Sequence, residues 1–305
     1  MLRVALVVAI VGLALPGAAR AYSWPVKPFD RMHAIRGTFN DPRFHLRPDL
    51  TTSSSFHSGV DISVPDGSPV YAVEPGVAVR GPDSVSLRRP NRREFGYWHV
   101  RPVIHTGQHV RLHQLLGYVI PGWGHVHFAE TVAGHYRNPL RAGALTPYRE
   151  LTAPVVDAIS VGRLDGHTLQ AVAPAAVTGT VGFIADAYEL PSIVPPVPWN
   201  RARLVPSLVR WRLIPANGDP PTAWRVAADF RYRLEPQPAF SRIYAPGTYQ
   251  NKPNRPGDYR FWLTAAFDTT TLQNGVYWID VQALGLTGKV GDDSMQITIA
   301  NGLDQ

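Results

Sequence analysis

The chain has 305 residues, 45% of them apolar, with no cysteine and a formal net charge of +7. This composition excludes a disordered chain and a disulfide scaffold, and the length suits two domains of about 100–200 residues each. The positive charge favours encounter with anionic polymers or surfaces. No long Lys/Arg run marks a nucleic-acid-binding strip, and arginine far outnumbers lysine, as a GC-rich coding bias also produces.

The chain opens with Arg3, an apolar run from Val4 to Leu15, and Pro16-Gly17-Ala18-Ala19-Arg20-Ala21. A basic start, a short apolar stretch and a small-residue Ala-x-Ala site read as a secretory leader over 1–21. The run is shorter than the roughly 18–20 apolar residues a spanning helix needs. Cleavage after Ala21 would leave Tyr22 as the N-terminus and a secreted or cell-envelope protein without stable membrane insertion. Having no disulfides, such a protein depends on its core and on any bound metal.

Residues 22–148 read as the first domain, and within it 55–130 reads as short strands and tight turns. Val60 to Val64 alternates and turns at Pro65-Asp66-Gly67. Pro69 to Val73 runs extended into Glu74-Pro75-Gly76, followed by Val77 to Val79. Phe95 to Val100 forms the next predicted strand, then Val110 to Leu112 and Leu115 to Ile120. Gly, Pro and Asp fall between these runs, as turn chemistry requires. Gly96 and Gly117 lie inside strands and mark expected bulges. No stretch shows helical periodicity, so this half is antiparallel β.

The pattern changes near Thr146-Pro147 to Pro154. Beyond it, 149–305 carries alternating runs at Gly179 to Ile184, Val209 to Leu213, Tyr259 to Leu263 and Gly275 to Val281. Several strands with polar turns and a central Trp predict a β-sandwich. Leu272-x-x-Gly275-x-Tyr277 resembles the tyrosine corner of immunoglobulin-like and fibronectin-like domains. Pro-rich stretches at 191–198 and 215–221 read as long loops. This half shows no polar constellation that reads as a site.

Ten of the eleven histidines precede residue 140, which places the chemistry in the first half. On a strand, His125 and His127 point to one face. Both can address one point, or one can bind metal while the other faces substrate. His57-x-x-x-Asp61 adds a third and fourth donor, with Gly59 allowing the backbone to bend. Two His and one carboxylate leave a coordination position open, the pattern of a catalytic zinc and equally of a non-haem iron. Taken singly, each motif also fits surface histidines. His105, His109 and His113 recur every four residues, but Gly107 and the turn-like sequence argue against a helix and for solvent-exposed side chains.

Read together, the motifs are specific. Phe56-His57-Ser58-Gly59-Val60-Asp61-Ile62 resembles the F-H-x-G-x-D-[IL] motif of LytM/lysostaphin-type peptidases, family M23. Val64 to Ala72 is similar to that family's A-P-x-G-T-P-V-Y-A, and Tyr97-Trp98-His99-Val100 to its Y-x-H-L. Gly107 to Gly117 resembles G-Q-x-V-x-x-G-Q-x-[IL]-G, with His113 at a usual glycine. Gly124-His125-Val126-His127-Phe128 resembles G-x-H-[LV]-H-F, one residue shorter before the first His.

The resemblance spans about residues 30–140. It implies Zn2+ held by His57, Asp61 and His127, with His99 and His125 facing substrate as catalytic groups. It further implies a LytM-type antiparallel β-sheet catalytic domain and hydrolysis of peptide bonds in peptidoglycan; with the immunoglobulin-like sandwich read from the second half, the expected fold is mainly β. The alternative is a non-catalytic LytM-type scaffold that binds cell wall or regulates other wall hydrolases. The family often has Glu directly after H-x-H-F. Here the acid is Glu130, one residue later, which puts it on the opposite face of a strand and out of the site. Asn40 and His45 lie where relatives sometimes add an upstream ligand. Neither is assigned that role. Trp98 and Trp123 are candidates for the groove wall.

Overall fold

The computed structural model describes residues 21–47, 52–166 and 168–302. The expected leader, but for Ala21, lies outside the described residues, as does His167. Among the described residues no helix is long and apolar enough to cross a membrane.

The chain is nearly all β. The first half contributes β1 (Ile35–Gly37), β2 (Pro42–Leu46), β3 (Thr52–Phe56), β4 (Val60–Ser63), β5 (Pro69–Tyr71), β6 (Gly76–Arg80) and β7 (Ser84–Arg88). It continues with β8 (Arg93–Trp98), β9 (Val100–Pro102), β10 (His109–Val110), β11 (Leu115–Val119), β12 (His125–Val132) and β13 (His135–Arg137). The principal sheet runs β1-β4-β12-β8-β7-β6-β10, with β13 paired to β12, and every pairing in it is antiparallel. A three-stranded sheet, β5-β11-β9, accompanies it.

Period-2 alternation sets the two faces of this sheet. In β12, Val126 and Phe128 are fully buried, and in β4 so are Val60 and Ile62. Their neighbours His125, His127 and Asp61 therefore face the other way. Glu130 shares the core-facing side with Val126 and Phe128, as the one-residue slip predicts. It is fully buried there, accepting from Tyr22 Oη at 2.8 Å, Arg93 Nε at 2.7 Å and Arg141 Nη1 at 2.6 Å. A buried carboxylate needs such partners.

The two glycines expected to mark bulges differ. The register of β11 shifts at Gly117, where a Cβ would meet Arg101 O at 2.2 Å. At Gly96 the register with both neighbouring strands is continuous, so no bulge forms. A Cβ there would lie 2.2 Å from the Trp98 ring, so Gly96 leaves the space in which that indole lies.

The second half contributes β14 (Val155–Asp165), β15 (Thr168–Ala171), β16 (Thr180–Tyr188), β17 (Leu208–Pro215), β18 (Arg225–Asp229), β19 (Arg260–Asp268), β20 (Gly275–Leu284) and β21 (Val290–Ile299). They form two four-stranded sheets, β15-β14-β16-β19 and β18-β17-β20-β21. Phe183 and Phe261 from one sheet and Trp211 and Ile279 from the other lie in one buried cluster. Trp211 is the expected central Trp, edge-on to Phe183 at 5.5 Å. Tyr277 Oη donates to Gln273 O at 3.0 Å, the bond a tyrosine corner requires.

Contacts join the two halves. Phe56 packs in the core cluster of the second half, against Phe230, Phe240 and Tyr244. Asn40, in the left-handed region at φ 67°, donates to Arg233 O at 3.0 Å and accepts from Glu235 N at 2.9 Å. Tyr244 Oη donates to Asn40 O at 2.8 Å. The β18–β19 loop thereby packs against the first half.

Candidate metal centre

Register brings the predicted ligands together. Asp61 of β4 and His127 of β12 are directly paired across adjacent strands. His57 lies between β3 and β4, and Gly59 lets its segment approach β12: a Cβ there would stand 2.3 Å from Phe128 O and 2.9 Å from His127 Nε2.

Three donor atoms converge. His57 Nε2 lies 2.7 Å from His127 Nδ1, and each is 3.1 Å from Asp61 Oδ1. Among the described residues this is the group of three or more His, Asp or Glu side chains able to hold a metal. Ligands at about 2.0–2.1 Å from a tetrahedral zinc lie roughly 3.3 Å from one another. The observed triangle is slightly tighter, and a small outward movement fits the ion.

The surrounding hydrogen bonds prepare these donors. His57 Nδ1 donates to Thr38 O at 2.7 Å, which fixes the tautomer and leaves the Nε2 lone pair facing the centre. Asp61 Oδ2 accepts from Arg43 Nη2 at 2.7 Å, leaving Oδ1 for the centre. Arg43 in turn contacts Asp41 at 3.4 Å. Burial, then the Arg43 charge, pushes the His57 pKa down to about 3, so its imidazole is neutral and able to ligate. Burial raises the Asp61 carboxyl, but His57, Arg43 and His125 together outweigh it and hold the group well below the ordinary range. Two imidazoles and a carboxylate suit zinc.

The two histidines expected to face substrate stand beside this triangle. His125 is buried, with Nε2 3.4 Å from Asp61 Oδ1 and Nδ1 2.7 Å from Trp123 O. His99 falls between β8 and β9 rather than inside a single strand, in the left-handed region at φ 64°. A non-glycine residue there is uncommon, and such backbone is concentrated at functional sites. The bend lays the His99 ring on Trp123 at 3.5 Å and 4.6 Å from the His125 ring. Burial, then His125, lowers the His99 pKa to about 3.

A cleft of about 420 Å³ contains His57, Asp61, His99, His125 and His127. Trp123 lines it at 45% exposure, whereas Trp98 stands edge-on to His127. Asn40 is fully buried with its amide spent on backbone partners. His45 lies at the rim with Nε2 3.3 Å from Ser55 Oγ, so neither joins the triangle. His105 and His109 are exposed, and His113 stacks on Phe29 at 3.8 Å, away from the triangle.

Trp199, Gln250 and Asn251 complete the cleft wall from the second half, and Arg36 and Arg43 from the first. Sequence reading named no cleft residue in the second half. The loops carrying these residues have no motif, and their one visible signal is the Pro-rich stretch 191–198 beside Trp199. Asn251 Nδ2 ties this wall to β1 through a bond to Arg36 O at 3.3 Å, and to the β16–β17 loop through a bond to Arg203 O at 2.6 Å.

No protein-family model and no curated protein matches the chain. Among solved structures, it is similar to a zinc containing peptidase from Vibrio cholerae, with 23% identity, 41% of each chain covered and a TM-score of 0.33. The chain thus spans 41% of that peptidase's length. It is also similar to the M23 metalloprotease pseudoalterin from the deep sea, with 16% identity over 48% of this chain and 84% of that one, TM-score 0.30. A third is the SpoIIQ–SpoIIIAH pore forming complex, with 18% identity over 40% of this chain and 90% of that one, TM-score 0.33. At these TM-scores the functional argument rests on the residues of this chain.

Proposed function

We propose that the chain is a secreted zinc metalloendopeptidase of the LytM type, acting on peptide bonds of peptidoglycan. Residues 22–148 would form the metallopeptidase unit and 149–305 an immunoglobulin-like domain. The strand order and the Tyr277 corner support the second assignment. The observation that carries the function is the triangle of His57 Nε2, Asp61 Oδ1 and His127 Nδ1 in an open cleft beside two further histidines.

Bound zinc would polarise the scissile carbonyl and acidify a coordinated water. The protein's own residues hold the rest of the reaction. Thr38 O keeps His57 in the ligating tautomer, and Arg43 shares the Asp61 carboxylate. His125 and His99 supply ring nitrogens beside the reacting centre, where one can accept a proton and the other can donate a hydrogen bond to a developing oxyanion. Stacking on Trp123 restricts the His99 ring. A scaffold without chemistry has no use for either histidine, so their placement favours the enzyme over the regulatory alternative.

Purified full-length protein should carry near one zinc per chain and release defined peptides from cell-wall material. His127→Ala should lose both properties. Absence of zinc, or unchanged products from His127→Ala, would overturn the reading.

A further inference from the structure

Arg36 is a charge without a counter-ion among the described residues. It lies on β1 and is 9% exposed. Its guanidinium covers the Trp199 ring, with Cζ 4.1 Å from the centroid. Nη2 donates to Trp123 O at 2.8 Å and touches His125 Nδ1. Among the described residues no carboxylate lies within ion-pair distance of it, and no protein acceptor meets Nε or Nη1. The nearest acids are committed elsewhere. Asp66 accepts from Gly122 N at 2.7 Å and Gly124 N at 2.8 Å, and Asp61 belongs to the metal triangle and Arg43.

A nearly buried guanidinium is costly when unpaired. Its pKa, lowered to about 10 chiefly by burial, still leaves it charged at neutral pH. Its position explains what could pair with it. Arg36, Trp123 and Trp199 line both the metal cleft and an adjoining cleft of about 670 Å³, so the guanidinium stands where the two meet. The free Nη1 donors, held there by stacking, match a carboxylate, which they bind by a charge-assisted hydrogen bond.

The geometry points to Arg36 as the specificity residue that anchors a substrate carboxylate within one or two residues of the scissile bond. The spacing follows from His125. Arg36 touches Nδ1 of that ring, and Nε2 of the same ring is 3.4 Å from the ligand atom Asp61 Oδ1. Arg36 is thus one imidazole away from the metal triangle, while an extended peptide advances about 3.3 Å per residue. The carboxylate is either a chain terminus or an acidic side chain. This inference rests on the peptidase reading, because that reading makes a peptide the occupant of the cleft.

The test is calorimetric binding to the full-length protein in zinc-containing buffer, which needs no turnover. One arm compares N-acetyl-Ala-Ala ending in a free acid with its amide. The other compares N-acetyl-Ala-Glu-Ala-amide with the Gln peptide. Both arms are run with L- and D-residues. A charge-assisted hydrogen bond of about 1.5–3 kcal/mol corresponds to a preference of about 10- to 150-fold for the acid in the correct arm. Arg36→Gln should bring that ratio close to unity with zinc content and Tm retained, and Arg36→Lys should keep part of it. No preference in either arm, or a preference that survives Arg36→Gln, overturns the anchor. The surviving preference would mean that the carboxylate binds the metal instead. The preference without cleavage of any peptide would sink the peptidase reading alone. Cleavage without the preference would sink the anchor alone.

Discussion

Gly59→Ala should damage the metal centre without replacing any ligand. An ideal Cβ at position 59 lies 2.3 Å from Phe128 O and 2.9 Å from Phe128 C and His127 Nε2. Ordinary contact starts near 3.4 Å, so the segment leading into β4 and strand β12 must separate by about 1 Å. The obstructing atom is backbone, and a rotamer change cannot relieve it. The strands that separate carry Asp61 and His127, which the register holds opposite each other. Overpacking of this kind costs about 1–3 kcal/mol. If the strain falls on the triangle, zinc affinity drops by about 5- to 150-fold. Competition with a chromophoric chelator at fixed pH measures that affinity, and calorimetry reads the accompanying fall in Tm. Gly67→Ala is the control, because its Cβ meets nothing within 4 Å and only its left-handed backbone, φ 74°, is disturbed. Zinc affinity of Gly59→Ala within twofold of wild type would refute the reasoning.

Three further outcomes follow from buried polar groups. Glu130→Gln removes the charge that pairs Arg93 and Arg141, at a cost of about 3–5 kcal/mol. Chemical denaturation should show that loss while zinc stoichiometry stays unchanged, since Glu130 faces away from the centre. Burial, and then Glu150, raises the Glu189 carboxyl well above its ordinary value of 4.5. The folded state therefore favours the protonated form: its stabilising effect is full below about 4.5 and is lost as pH rises through the folded pKa. Glu189→Gln should flatten that decline in denaturation midpoints measured across pH, and an unchanged slope would remove the cause. Tyr277→Phe deletes the bond to Gln273 O and should cost about 1 kcal/mol by urea denaturation, without affecting zinc content.

Much of the centre was determined locally and is legible in the sequence. His57, Gly59 and Asp61 are close along the chain, and period-2 geometry alone puts His125 and His127 on one strand face with Glu130 on the other. The same local patterns identify an all-β chain, its turn residues and the Tyr277 corner. Only tertiary structure decided the rest. The pairing of Asp61 with His127 joins strands more than sixty residues apart, and the left-handed bend at His99 breaks a run that reads as continuous strand. Gly96, read as a bulge, instead leaves room for Trp98. Trp199, Gln250 and Asn251 owe their places to loop packing, and Arg36 on β1 and Arg43 on β2 meet the cleft through long-range contacts, none of which leaves a periodic trace. The sequence therefore determined which groups could hold a metal, because their spacing is a property of single strands. The cleft wall is completed, beside the Arg36 guanidinium, only where Trp199, Gln250 and Asn251 of the second half meet the first.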